Sequence, residues 1–195
     1  MDISKTGLFN GQAVIVSFIV FLACYILVGG GLIGAAAVSK AAAESADSVG
    51  VTIPDMVFSY APEKLVGMFE VLGPTGREAY LAMNAVDFVF AVAYGIFFFI
   101  TLGWLAQRFF PSRPGLRWTG LIGVAGAIAD ETENIVYRLI AGGSAGLDGS
   151  LSGIAAIASP IKYMLISVSM FMVLAGGLVF IVITLRERNN RAFTR

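Results

Sequence analysis

Between Gly126 and Gly143 the chain reads GAIADETENIVYRLIAGG, placing Asp130, Glu131, Glu133, Asn134, Tyr137 and Arg138 in a stretch otherwise built of membrane-helix residues. At about 100° per residue, Asp130, Glu133, Asn134 and Tyr137 share one helix face, with Glu131, Asn134 and Arg138 on the adjoining stripe. Carboxyl groups gathered on a helix face suit three tasks. They can counter-charge a cation, work as an acid–base pair whose environments differ, or lock helices in register through ion pairs and hydrogen bonds.

The elements that must carry these residues are read from hydropathy. The chain has 195 residues, 57% hydrophobic and 13% charged, against about 25% charged in an ordinary soluble domain. Its mean hydropathy is +0.84, so too little charge remains to cover a globular surface, which points to a membrane protein. A bilayer core takes about 20 apolar helical residues to cross. The apolar runs predict an all-α polytopic bundle of four spans in a single domain, near residues 13–38, 79–107, 117–141 and 160–185. Ser159-Pro160 reads as the start of the last span, with serine as N-cap and proline in the first turn. The first span is too long for the apolar core of a cleaved signal peptide, and Asp2 stands beside Lys5 ahead of it.

Orientation follows the basic residues. Arg108, Arg113 and Arg117 fill the connection 108–117, and Arg186, Arg188, Arg191 and Arg195 the tail 186–195. Both are predicted to be cytoplasmic, as is the N-terminus, with Trp104 and Trp118 at the interface. The loop 39–78 is then outside. It begins with a small, polar and mobile piece, then carries a short helix whose stripe is Leu65, Met68, Phe69 and Leu72, closed by Gly73-Pro74. Thr75-Gly76-Arg77-Glu78 fits a capping box for the second span, and Arg77 and Tyr80 fall at the loop's end, where they would cover the mouth of a cavity.

In this frame Asp130 lies about 16 Å and Glu133 about 12 Å below the outer end of the third span, and Asp87 about 12 Å below the start of the second. Tyr94 follows Asp87 by two turns. Each mid-membrane charge costs about 2.5–3.5 kcal/mol on insertion scales, so the acids must face sibling helices or a hydrated cavity. Four acids (Asp87, Asp130, Glu131, Glu133) meet two bases, Arg138 and Lys162. The excess calls for protonated carboxyls or a bound cation. Glu131 could pair with Arg138, and Asp87 with Asn134.

Several classes are excluded or unsupported. A formal net charge of zero argues against a basic nucleic-acid surface. Without histidine the usual imidazole ligands are missing, no metal-binding spacing is present, and no motif names a cofactor. The lone Cys24 cannot form an intramolecular disulfide. GGGLIG, Gly29 to Gly34, matches a dinucleotide fingerprint by letter but lies inside an apolar run. Close helix packing through Gly30-x-x-x-Gly34 fits better, and Gly120, Gly123, Gly126, Gly176 and Gly177 invite the same reading.

Phe58-x-Tyr60, Gly76-Arg77-x-x-Tyr80, Asp87 with Tyr94, and Asp130-x-x-Glu133-Asn134 resemble a group of small bacterial four-span membrane proteins with no established activity. The resemblance runs from about Ile53 to the end of the third span and implies a bacterial inner-membrane setting.

The leading expectation is a binding or transport protein. Its acidic intramembrane cavity, lined by Asp87, Asp130, Glu133, Asn134, Tyr94 and Tyr137, would take a cationic or amphiphilic ligand, with Glu131, Arg138 and Lys162 as an ion-pair network. The alternatives are an accessory subunit of a larger membrane complex and an enzyme acting on a lipid or prenyl substrate. Membrane lipid is the expected partner, with a homo-oligomer or larger complex as further partners.

Overall fold

The computed structural model describes residues 7–30, 33–45, 52–143 and 149–193. Asp2, Lys5, Asp47, Arg195 and the polar piece from Ala46 to Gly50 lie outside them. Among the described residues the chain is all-helical, without strands. Three of the described helices are long and apolar enough to cross a membrane: Gly11–Gly29, Gly73–Phe109 and Ser150–Arg191.

The first, α1 (Gly11–Gly29), starts where Asn10 turns extended and its side-chain oxygen accepts the Ala13 N–H at 2.8 Å. It stops at Gly30, well short of Val38. A second helix, α2 (Ala35–Ser45), follows. A Cβ on Gly34 would stand 2.1 Å from the Val28 carbonyl oxygen and 2.6 Å from the Gly30 nitrogen. Gly34 donates its N–H to the Gly30 carbonyl at 3.0 Å, so the pair serves a tight turn between α1 and α2 and not the helix-packing surface its spacing predicted. Part of the expected mobile piece, up to Ser45, is helical. The small stripe of α2, Ala35, Val38 and Ala42, is buried, and Ala42 rests 3.2 Å from where a Gly76 Cβ would be.

A single 3₁₀ turn (Pro54–Met56) leads to α3 (Pro62–Val71), with proline in its first turn. Leu65, Phe69 and Leu72 are buried and Met68 packs at their edge, the stripe its spacing predicts. Gly73 adopts φ +64, which ends α3 and starts α4 (Gly73–Phe109) in one step. The expected capping box does not form, because helix begins ahead of Thr75, with Leu72 as a cap that makes no side-chain bond. Arg77 and Tyr80 consequently sit on α4, not in a loop.

A second 3₁₀ segment (Pro114–Gly120) carries the chain into α5 (Leu121–Ala141), and α6 (Gly149–Phe193) runs 45 residues. Pro160 lies inside α6, so Ser159-Pro160 does not start the helix. The proline removes one backbone donor, and the neighbouring Ser159 hydroxyl, instead of capping, donates to the Val57 carbonyl at 2.9 Å. By rise per residue α4 is about 55 Å long and α6 about 67 Å. Both exceed the hydrocarbon thickness of about 30 Å.

Helix α4 is the central post, packed against α1, α2, α5 and α6, while α5 and α6 pack along each other. Two apolar cores result. One joins α2, α3, the head of α4 and the end of α5 around Leu65, Phe69, Tyr80 and Tyr137. The other joins α4 and α5 around Ala91, Phe97, Phe98 and Ala127, with Phe21 and Met170 against it. The polar side chains of α4, α5 and α6 form the layer between them.

Candidate functional site

On α4, Asn84, Asp87 and Tyr94 fall on one helix face, all buried. On α5 the face holding Asp130, Glu133, Asn134 and Tyr137 turns inward: Glu133 and Asn134 have no exposure and Asp130 has 3%. The opposite face of α5 shows Leu121, Ile128, Ile135 and Leu139 to the surroundings, with Ile128 63% exposed. Charge inside and isoleucine outside invert the pattern of a helix in water. Lys162 of α6, 5% exposed, completes the layer.

The ammonium of Lys162 bridges two carboxylates, Asp130 Oδ1 at 3.0 Å and Glu133 Oε2. Each acid uses its other oxygen on a phenol. Tyr94 donates to Asp130 Oδ2 at 2.9 Å, and Tyr137 donates to Glu133 Oε1. Tyr60 extends the chain of hydroxyls, 2.8 Å from Tyr137. Asn84 Nδ2 donates to the side chain and backbone oxygens of Asn134, each at 3.3 Å. Asp87 lies beside the Asn134 amide and forms no ion pair with a described residue.

Glu131 and Arg138 do not join this network. They lie seven residues apart, about 10.5 Å of rise, beyond the one-turn spacing at which helical ion pairs close. Glu131 is partly exposed, and Arg138 is exposed with its guanidinium donating to the Leu81 carbonyl at 3.3 Å. Of the three residues expected as an ion-pair network, only Lys162 makes buried ion pairs.

A cleft of about 350 Å³ opens beside the layer. Its walls come from α1 (Phe21, Tyr25, Val28), the start of α2, the 53–56 turn, α4, α5 and α6. Helices α1 and α6 face each other across it without forming a packed seam. Asp87, Tyr94 and Asp130 reach its surface, whereas Glu133, Asn134 and Tyr137 stand behind the wall, although all six were expected to line it. Arg77 does not border it either. Glu133 thus has no access to the cleft and shares its cation with Asp130, a poor arrangement for an acid–base pair.

Sequence reasoning missed several contributors. Asp55 enters the cleft from the loop side; its Oδ2 accepts from Tyr80 at 2.5 Å and its backbone carbonyl from Tyr163 at 2.6 Å. Lys162 stands 5.2 Å above the Tyr163 ring. The aromatic and methionine walls, including Phe90, Met56 and Met170, sit in runs indistinguishable from ordinary core. Asn84, one turn from Asp87, was the only one with a usable signal.

Burial pushes the Asp55 carboxyl up from 3.8 to about 6, against the pull of Lys162 and the Tyr80 hydrogen bond, with Glu133 and Asp130 adding repulsion. Its Oδ1 is sealed from solvent with no hydrogen-bond partner among the described residues. A raised acid pKa means the folded state holds the proton more tightly than the unfolded chain. The Asp55 contribution to stability therefore grows as pH falls through about 6 toward 4 and is lost as pH rises through that window. Thermal melting in detergent at pH 7.5 and pH 5.0 should show a smaller acid-induced gain in Asp55→Asn than in the wild type. Equal gains in both proteins would remove Asp55 as the source.

No protein-family model, curated protein or solved structure matches the chain.

Proposed function

We propose that the chain is a four-span protein of the bacterial inner membrane, termini cytoplasmic, which binds an amphiphilic ligand of positive charge in the α1–α6 cleft. Membrane lipid would cover the outward faces of α1 and α6. The three long apolar helices and the inverted polarity of α5 support the span count. Along α4, Asp87 stands 21 residues from Arg108, about 31 Å of rise and close to one hydrocarbon thickness. Asp130 is 13 residues from Arg117, about 20 Å. On this reading the acids occupy the outer half and outer edge of the bilayer, where the cleft meets the loop segment and water.

The observation that carries the reading is Asp87. This carboxylate is 6% exposed, lies on the cleft wall, and pairs with no described cation. Around Lys162 stand four carboxyls, Asp55, Asp87, Asp130 and Glu133, so a positive ligand improves the charge balance. The aromatic walls add attraction for an organic cation through their ring faces, about 0.5–2 kcal/mol per well-placed ring.

Benzyltrimethylammonium is the probe, titrated calorimetrically against the protein in zwitterionic nanodiscs. Wild type should bind it, and Asp87→Asn should weaken binding at least tenfold, by about 1.4 kcal/mol. Equal affinity in the two proteins would overturn the assignment.

A further inference from the structure

At the far end of the bundle from the carboxyls, a second and smaller hollow opens between α4, the second 3₁₀ segment and α6. Leu102, Leu105, Ala106, Phe109, Leu116 and Met172 make most of its wall. Thr119, the one polar side chain there, already donates to the Leu116 carbonyl at 2.8 Å. The wall therefore offers hydrocarbon contacts and, unlike the larger cleft, no carboxyl to repel a negative charge.

The chain around this hollow is basic, and its cations are all arginines. Arg108 precedes Phe109 and Arg117 follows Leu116, so both adjoin the wall. The Arg108 guanidinium stands 5.9 Å from the Phe180 ring of α6, which Trp104 meets edge-on at 4.8 Å. Trp118 is 49% exposed beside Arg117, and two tryptophans at one level mark a membrane–water interface. With Arg113, Arg186, Arg188 and Arg191, the described residues of 108–117 and 186–193 hold six arginines, no lysine and one acid, Glu187. Arginine presents a planar fork of N–H groups that matches the oxygens of a phosphate, whereas lysine is a point charge. Arg117 is half-buried, and its Nε is sealed from solvent with no hydrogen-bond partner among the described residues. A buried guanidinium N–H without an acceptor is costly, and a phosphate oxygen would meet that need.

We infer that this end of the bundle binds an anionic phospholipid of the inner leaflet, with its phosphate at Arg108 and Arg117 and an acyl chain in the hollow. The basic rim and the apolar wall complement the two halves of such a lipid, and basic pockets between spans on the cytoplasmic side are the usual seats of anionic headgroups. The inference rests on the membrane orientation proposed above and does not depend on the cation cleft.

The test titrates phosphatidylglycerol and phosphatidylcholine of identical chains into the detergent-purified protein, read by native mass spectrometry, with glycerol phosphate as the chain-free control. Wild type should bind phosphatidylglycerol about tenfold or more tighter than either of the other two. Arg108→Gln with Arg117→Gln should abolish the preference over phosphatidylcholine, whereas Arg186→Gln with Arg188→Gln, which removes as many charges, should keep it. Ala106→Phe, which fills the hollow, should weaken phosphatidylglycerol by about tenfold while its helical circular dichroism matches wild type. If Ala106→Phe does not fold, Leu116→Trp fills the same space from the loop side and must give the same loss. The site is overturned by a wild type without the preference, by glycerol phosphate binding as tightly as the lipid, by equal loss in the two double variants, or by a filled hollow that binds phosphatidylglycerol unchanged. Labelling of Arg188→Cys on intact cells by a membrane-impermeant maleimide would overturn the orientation and the choice of leaflet alone, because a micelle has no sides.

Discussion

Lys162→Met is expected to prevent accumulation of a monodisperse protein. Lys162 is 5% exposed, and its ammonium neutralises Asp130 and Glu133, neither more than 3% exposed. Removing one partner of a buried ion pair typically costs about 3–5 kcal/mol, because the charge left behind has neither water nor counter-ion. Here two carboxylates would be left, each retaining a single phenol donor. That loss takes a large share of the whole stability of a typical domain, about 5–15 kcal/mol. Size-exclusion profiles and melting curves in detergent measure it.

Rescue separates charge from packing. Lys162→Met combined with Asp130→Asn and Glu133→Gln keeps the volumes and removes all three charges, so it should recover the folded peak. Lys162→Met with Asp130→Asn alone should recover less. A Lys162→Met protein that melts like wild type would show that the buried ion pair contributes nothing to the fold.

The inward direction of Asp130 and Glu133 was legible because helical spacing and the cost of charge in lipid lead to the same answer. The limits of the elements were less so. Apolar composition runs unbroken from Ala13 to Val38, and hydropathy has no term for the steric demand that makes Gly34 part of a tight turn. Ser159-Pro160 carries the letters of a helix start, yet the residues before it are equally compatible with helix, and a tertiary contact to Val57 claims the serine. Arg138 shares a stripe with Glu131, but a shared face does not ensure proximity. Asp55 was hidden for another reason. It reaches the cleft only because the loop folds back over α4 and α6, a long-range event anchored by Tyr80 and Tyr163.

Glycines read alike in sequence, but the packing they allow differs, and Gly120→Ala should show the larger effect. A Cβ at Gly120 would lie 2.6 Å from both the Cα and the carbonyl oxygen of Phe99, and 3.0 Å from its carbonyl carbon. These are backbone atoms in the middle of α4, so no rotamer change relieves the clash; α5 and its 3₁₀ lead-in must move away from α4. Overpacking of this kind costs about 1–3 kcal/mol or more, and the displaced helix is the one that carries Asp130 to Tyr94 and Lys162. Gly103 offers a softer case, since its nearest neighbour is the Phe9 ring at 2.2 Å, a side chain ahead of α1 that can swing aside. Gly177, with nothing within 4 Å, is the control: alanine there should be neutral or stabilise by up to about 1 kcal/mol through helix propensity. Melting temperatures should therefore rank Gly177→Ala highest, Gly103→Ala next and Gly120→Ala lowest. A Gly120→Ala protein as stable as Gly177→Ala would mean that α4 and α5 do not approach as closely as their packing requires.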